Sequence, residues 1–161
     1  MRNLLRAALA ALAVAGGAGA AYRLCVLPYR CDQELQTLMR RTYRAADLVG
    51  SPEGAILARR NLERLAAVRG ACTHDVTWMM LTAANERFLD QLQQAVDHYT
   101  EALRFHQRPE IYYNRGMTLL SMGRVDEAIT DLAVAARFTP QILDLLDPET
   151  RRRVGTAAGL P

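Results

Sequence analysis

The sequence predicts an all-α chain, with helical hairpins stacked as a short solenoid behind one N-terminal transmembrane helix. Three observations carry this. Residues 109–140, PEIYYNRGMTLLSMGRVDEAITDLAVAARFTP, set small and bulky side chains at the spacings of two amphipathic helices joined by a tight turn. A similar spacing occurs one helical pair upstream. Residues 7–22 hold no charged or strongly polar side chain.

The N-terminal segment comes first. Met1–Arg6 is a short positive stretch, and Ala7–Tyr22 is an apolar run of 16 residues. As a helix that run reaches ~24 Å, against a bilayer core of ~30 Å. Adding Leu4, Leu5 and Leu24–Leu27 gives 24 residues, or ~36 Å. Arg6 and Arg23 then fall near the two interfaces and reach toward the headgroups. Ala18-Gly19-Ala20 also fits an A-x-A cleavage site, so a secretory signal cut near Ala20 is the competing reading. The apolar run resumes after Arg23, which favours an uncleaved anchor over residues 1–30. Tyr22-Arg23-Leu24 before Cys25 is no lipoprotein box.

The first hairpin is expected over residues 32–69. Leu35, Leu38, Met39, Ala46 and Val49 recur at helical spacing. Gly50-Ser51-Pro52 breaks the chain, with Ser51 as N-cap and Pro52 at the first helical position. Ala55, Ala58, Leu62, Leu65 and Ala66 form the next stripe, and Gly70 is expected to close that helix.

Two better-marked hairpins follow. Trp78 opens one, with Leu81, Thr82 and Ala83 behind it. Tyr112 opens the other, with Arg115, Gly116 and Leu119. Ala95, Tyr99 and Ala102 anticipate Ala128, Leu132 and Ala135 at an offset of 33 residues, whereas Trp78 to Tyr112 is 34. The earlier unit is therefore expected to carry one extra residue in its inner turn, near Leu89-Asp90. Asn85 stands where a large apolar side chain is wanted. Thr139-Pro140 starts a capping segment with Ile142, Leu145 and Leu146. Asp147-Pro148-Glu149 starts a short helix through Val154. No linker divides residues 31–155, which are read as one domain. Residues 156–161 are read as a flexible tail.

The spacing of Tyr112, Gly116, Leu119, Ala128, Leu132, Ala135 and Pro140 resembles the tetratricopeptide repeat. Leu119 and Leu132 replace aromatics of that pattern, and Arg115 replaces an apolar residue. The resemblance implies a protein-binding fold in which the first helix of each repeat lines a concave groove. Carried over, the groove would hold Tyr113, Met117 and Leu120, with Glu110 and Asn114 at its edge. Met79, Ala83 and Glu86 would extend it in the earlier unit. Such an apolar, methionine-bearing groove suits a helix or an extended peptide. Repeats that clamp a C-terminal carboxylate use basic and Asn side chains on these faces, and Met79 and Ala83 do not supply them. The competing reading is that these side chains pack against a neighbouring helix.

Charge narrows the function classes. The chain is +3 overall, but Arg2, Arg6, Arg23 and Arg30 precede every acidic residue. Residues 31–161 hold sixteen Arg against seventeen Asp plus Glu. A near-neutral domain lacks the electrostatic footprint of a nucleic-acid binder. The absence of Lys fits a GC-rich bacterial genome. Cys31 and Cys72 bracket the first hairpin and fall at the same end of it. A disulfide there closes a loop of about forty residues and would contribute roughly 3–4 kcal/mol. Two buried thiols are the alternative. Such a bond persists in a periplasm or outside cells, not in a cytosol.

No catalytic constellation is present. His74, His98 and His106 have no carboxylate or cysteine at ligand spacing, so no metal and no cofactor are expected. G-x-S-x-G, phosphate-loop and H-E-x-x-H motifs are absent. Asp126, Glu127 and Asp131 sit around a helix start, where acids favour the helix dipole. The expectation is a non-catalytic scaffold or adaptor binding a protein or peptide. Its domain would face the periplasm from an inner-membrane anchor. The alternative is an accessory subunit of a membrane enzyme complex, such as one assembling polysaccharide. Gly16, Gly17 and Gly19 in the anchor permit close helix packing.

Overall fold

The computed structural model describes residues 19–20, 27–72 and 74–160. Apart from Gly19 and Ala20 and residues 27–30, which are helical, the anchor reading over residues 1–30 lies outside the described residues. Among those described, no helix is long and apolar enough to cross a membrane. The elements are α1 (Leu27–Ala46), α2 (Pro52–Val68), α3 (Val76–Phe88), α4 (Leu92–Phe105), α5 (Pro109–Ser121) and α6 (Val125–Phe138). A 3-10 helix (Pro140–Leu145) and α7 (Pro148–Ala158) complete the chain.

Caps place several of these starts. Ser51 Oγ accepts from Gly54 N–H at 3.0 Å, with Pro52 opening α2 as the sequence predicts. Asp75 caps α3 by accepting from Trp78 N–H at 3.0 Å. The end of α2 differs from expectation. Arg69 caps it in a right-handed conformation, and Cys72 N–H bonds back to Val68 O at 3.1 Å.

Consecutive helices pack as antiparallel hairpins. Beyond these contacts α1 packs on α3 and α3 on α5, whereas the backbones of α2, α4 and α6 stay more than 8 Å apart, Cα to Cα, among the described residues. The odd-numbered helices therefore converge, and the array curves with α1, α3 and α5 on its inner side. The core follows the seams between hairpins. Leu35, Leu38, Leu65, Trp78, Ala95, Tyr99 and Ile111 form the largest cluster. Ile129, Leu132, Ala136, Leu146 and Val154 close the other end.

The first hairpin corrects its predicted stripes. Ala46 and Val49 are exposed, while Thr42 and Ala45 are buried. Ala66 is exposed and Asn61 is fully buried. The polar substitutes bond across helices, with Asn61 Oδ1 alone left without a partner among the described residues. Asn61 Nδ2 donates to Asn85 Oδ1 at 2.9 Å, and Asn85 Nδ2 donates to Thr42 Oγ1 at 2.8 Å and to Leu81 O at 2.7 Å. This chain joins α2, α3 and α1 through the position where an apolar Asn85 replacement was expected.

Cys31 and Cys72 form a disulfide, with Cα atoms 5.3 Å apart. Cys31 lies inside α1 rather than at its start, because the helix already runs from Leu27. The bond fastens α1 to the turn that leads into α3.

The two later hairpins share one register. Asp90 and Gly123 both adopt left-handed backbone, at φ 60° and 73°. Each follows a helix whose end is tied by a six-to-one bond, Gln91 N–H to Glu86 O and Arg124 N–H to Leu119 O, both 3.0 Å. The displacement is 33 residues at these turns and at every helix boundary. The expected extra residue near Leu89-Asp90 is therefore absent. Trp78 corresponds to Ile111, not to Tyr112, and Met79 takes the Tyr112 position. Trp78 was misplaced because its ring is the obvious aromatic. It fills the α2–α3 seam instead, donating Nε1–H to Leu65 O at 2.8 Å.

The tail also differs from expectation. Helix α7 runs through Ala158, Gly159 takes φ 72°, and Leu160 N–H bonds Gly155 O at 2.9 Å. Leu160 then packs against the C-terminal cluster. A glycine C-cap with an apolar residue behind it holds these residues on the domain.

Candidate protein-binding groove

The convergence of α1, α3 and α5 leaves a groove of about 360 Å³ on the inner side. Helix α1 contributes Met39, Tyr43 and Ala46. Helix α3 contributes Thr77, Met80, Ala84, Arg87 and Phe88. Arg108, at the start of α5, and Asn114 within it close the far wall. Helical spacing explains the set: Thr77, Met80, Ala84 and Arg87 are separated by three or four residues and share one face.

The groove is apolar with a basic margin. Tyr43 is 68% exposed, a large aromatic presented to solvent with no neighbour covering it among the described residues. No carboxylate lines the groove. Arg87 lies over the Phe88 ring at 6.0 Å, and neither Arg87 nor Arg108 forms an ion pair among the described residues. Tyr99 forms part of the floor at 1% exposure. Its burial pushes the phenol up to about 12, so it remains neutral at physiological pH.

The structure divides the residues expected from sequence. Asn114 lines the groove, and Glu110 is exposed at the start of α5. Met79, Ala83 and Glu86 do not line it: they are 3%, 0% and 7% exposed. In the 33-residue register they match Tyr112, Gly116 and Leu119, which are packing positions. One residue of slip is a rotation of ~100° about a helix, enough to turn a groove face into a core face. Tyr113, Met117 and Leu120 are half-buried and pack against Ile129, Leu132, Ala136, Leu146 and Val154. The chain's own C-terminal cap occupies the surface expected to be open there.

Most of the residues expected to pack the repeats are buried. Ala95, Tyr99, Ala102, Ala128, Leu132 and Ala135 are all buried at 1% exposure or less. Gly116 allows the close approach of α5 and α6: an added Cβ would lie 2.8 Å from Leu132 Cγ. Tyr112 is half-buried beside Arg115, and Pro140 is exposed at the start of the 3-10 helix. Arg115, which replaces an apolar residue of the repeat pattern, binds Asp131 through two hydrogen bonds of 2.7 and 2.8 Å. It also donates to Thr100 Oγ1 at 3.0 Å. The fork stitches α4, α5 and α6 together.

A second polar constellation lies between α3 and α4. His98 Nδ1 sits 2.8 Å from Glu86 Oε2. That hydrogen bond raises the His98 pKa, against the opposing effect of desolvation. Trp78 meets the His98 ring edge-on at 5.9 Å, and Arg69 lies over the Trp78 ring at 5.6 Å. No group of three or more His, Cys, Asp or Glu among the described residues is placed to hold a metal.

Sequence reasoning missed Tyr43, Met80, Ala84, Arg87, Phe88 and Arg108. The signal that finds them is the constant 33-residue offset of the second-helix alanines, extended to the first helices. Compared with family models, with curated proteins and with solved structures, the chain matches none.

Proposed function

We propose that this chain is a non-catalytic, tetratricopeptide-like binding module that takes a protein segment along the groove of α1, α3 and α5. One observation carries the reading: an acid-free, largely apolar groove with two arginines that form no ion pair among the described residues. Met39, Met80 and Phe88 offer adaptable apolar contacts, and Tyr43 offers a rigid aromatic anchor. Arg87, Arg108 and Asn114 supply donors for a carboxylate. The complementary segment is a helix or strand with apolar side chains and an acidic group. The apolar N-terminal run supports display from a membrane, and the Cys31–Cys72 bond supports an oxidising compartment such as a periplasm.

The test is site-specific photocrosslinking in the native membrane. A benzophenone side chain at Met80 should give a discrete protein adduct. The same group at Arg59, exposed on α2, should not. Arg87→Glu with Arg108→Glu should abolish the Met80 adduct while leaving helix content unchanged. Equal labelling from both positions, or an adduct indifferent to the charge reversal, refutes the groove.

A further inference from the structure

We propose that the outer side of the first hairpin docks flat on an anionic lipid bilayer. The charges along the array are unequally shared. Residues 27–72 carry eight Arg against five acids, whereas residues 74–160 carry nine Arg against twelve. One end is thus +3 and the rest −3, counting Arg, Asp and Glu alone. All four ion pairs among the described residues lie in the acidic part.

The positive end has a built surface. On α1, residues Arg30, Gln33, Thr37, Arg41, Arg44 and Leu48 follow one another at spacings of three or four, continuing into the turn. They form a single stripe along the helix, with Glu34 as the one acid beside it, four residues after Arg30 and three before Thr37. None is buried. At its end the stripe opens into a groove of about 290 Å³ between α1 and α2, lined by Arg41, Arg44, Leu48, Ile56, Leu57 and Arg60, with Glu53 as its one acid. Ile56 is 49% exposed and the neighbouring Val49 57%. Helix α3 packs beside Met39, Tyr43 and Ala46, on a different side of α1. Arg41, Arg44 and Arg60 have no ion-pair partner among the described residues.

A bilayer surface fits this better than a protein groove does. The stripe is long, shallow and basic, and its apolar side chains are few and clustered, the pattern of an interfacial contact. The chain order supplies the second argument. The apolar run of residues 7–22 is flanked by Arg6 and Arg23 and leads directly into α1, so the stripe begins where that segment ends. The inference rests on the reading of that segment as a membrane anchor. With α1 lying along the headgroups, the acidic remainder of the array is held away from the anionic surface by its own charge.

The full chain, reconstituted into phosphatidylcholine vesicles with or without phosphatidylglycerol, provides the test. Amide hydrogen exchange is followed across residues 41–60. Exchange there should slow roughly tenfold in the anionic vesicles only, and recover in about 1 M salt, where the screening length is ~3 Å. Arg41→Gln with Arg44→Gln and Arg60→Gln should lose the protection, and Ile56→Gln should weaken it. Arg104→Gln with Arg152→Gln, exposed elsewhere on the array, should keep it. Equal exchange in both lipids overturns the proposal. So does protection that the triple variant retains, or protection given by an added acidic protein and not by the lipid. Carbonate extraction of the same vesicles reads the anchor separately: release of the chain refutes the anchor, while lipid-dependent protection still reports on docking.

Discussion

Two residues report most directly on local energetics. Asp90 holds left-handed backbone at φ 60° where the next hairpin uses Gly123. Asp tolerates this region better than most residues, but its Cβ still crowds the backbone. Asp90→Gly should therefore raise stability by about 0.5–1 kcal/mol, a sign that urea denaturation reads directly. His98 predicts a pH dependence. Its folded pKa is raised above the ordinary 6.5 by the bond to Glu86. A protonated His98 is therefore favoured by the fold. That contribution is complete below about pH 6.5 and is lost as pH rises through the higher folded value. Stability should fall as pH rises above about 6.5 and through the raised folded value, and His98→Gln should flatten that slope. An unchanged slope would remove the ion pair from the account.

At the scale of elements, α3 shows how a single residue of register separates core from surface. Met79 is 3% exposed, and its neighbour Met80 lines the groove. Met79→Glu buries a charge with no designed partner, so it should unfold the domain or cost at least several kcal/mol. Met80→Glu should cost clearly less than Met79→Glu, since the half-buried Met80 side chain lines the open groove and a charge there keeps access to water. Circular dichroism melts of the two variants decide it. If they behave alike, the 33-residue register is wrong. The same register explains why Met117 is a poor probe of binding. It is half-buried against the C-terminal cluster, so a charge there disturbs folding as well as any contact.

The whole molecule is a chain of hairpins, each stabilised by its neighbours, so its ends need reinforcement. The C-terminal end is covered by the 3-10 helix and α7, which bring Leu146 and Val154 onto Ile129 and Leu132. The N-terminal end is stapled by Cys31–Cys72 across a sequence separation of 41. Restricting the unfolded chain over that loop is worth about 4 kcal/mol in the chain-entropy view. Replacing both cysteines with Ala should lower the urea midpoint by a matching amount, with helix content retained. A midpoint unmoved by the double replacement would mean that packing of α1 on α2 and α3 suffices alone.

The helices, their order and most of their packing residues were legible in the sequence. Spacing of three and four residues, Ser51-Pro52, Gly123 and the alanines at 95, 102, 128 and 135 act locally and leave a periodic trace. The cysteine pairing was legible too, because hairpin lengths bring the two ends together. The face that α3 turns to solvent was not. Trp78 and Tyr112 are both large aromatics, and nothing local says that one fills the seam behind its helix and the other the seam beside the next. Nor does sequence show that Asn85 meets Asn61 and Thr42, since each partner lies on a different helix. Periodicity fixes which residues share a face. Only the packing of α1, α3 and α5 against one another decides which face is buried and which forms the groove, because that choice depends on contacts distant in sequence.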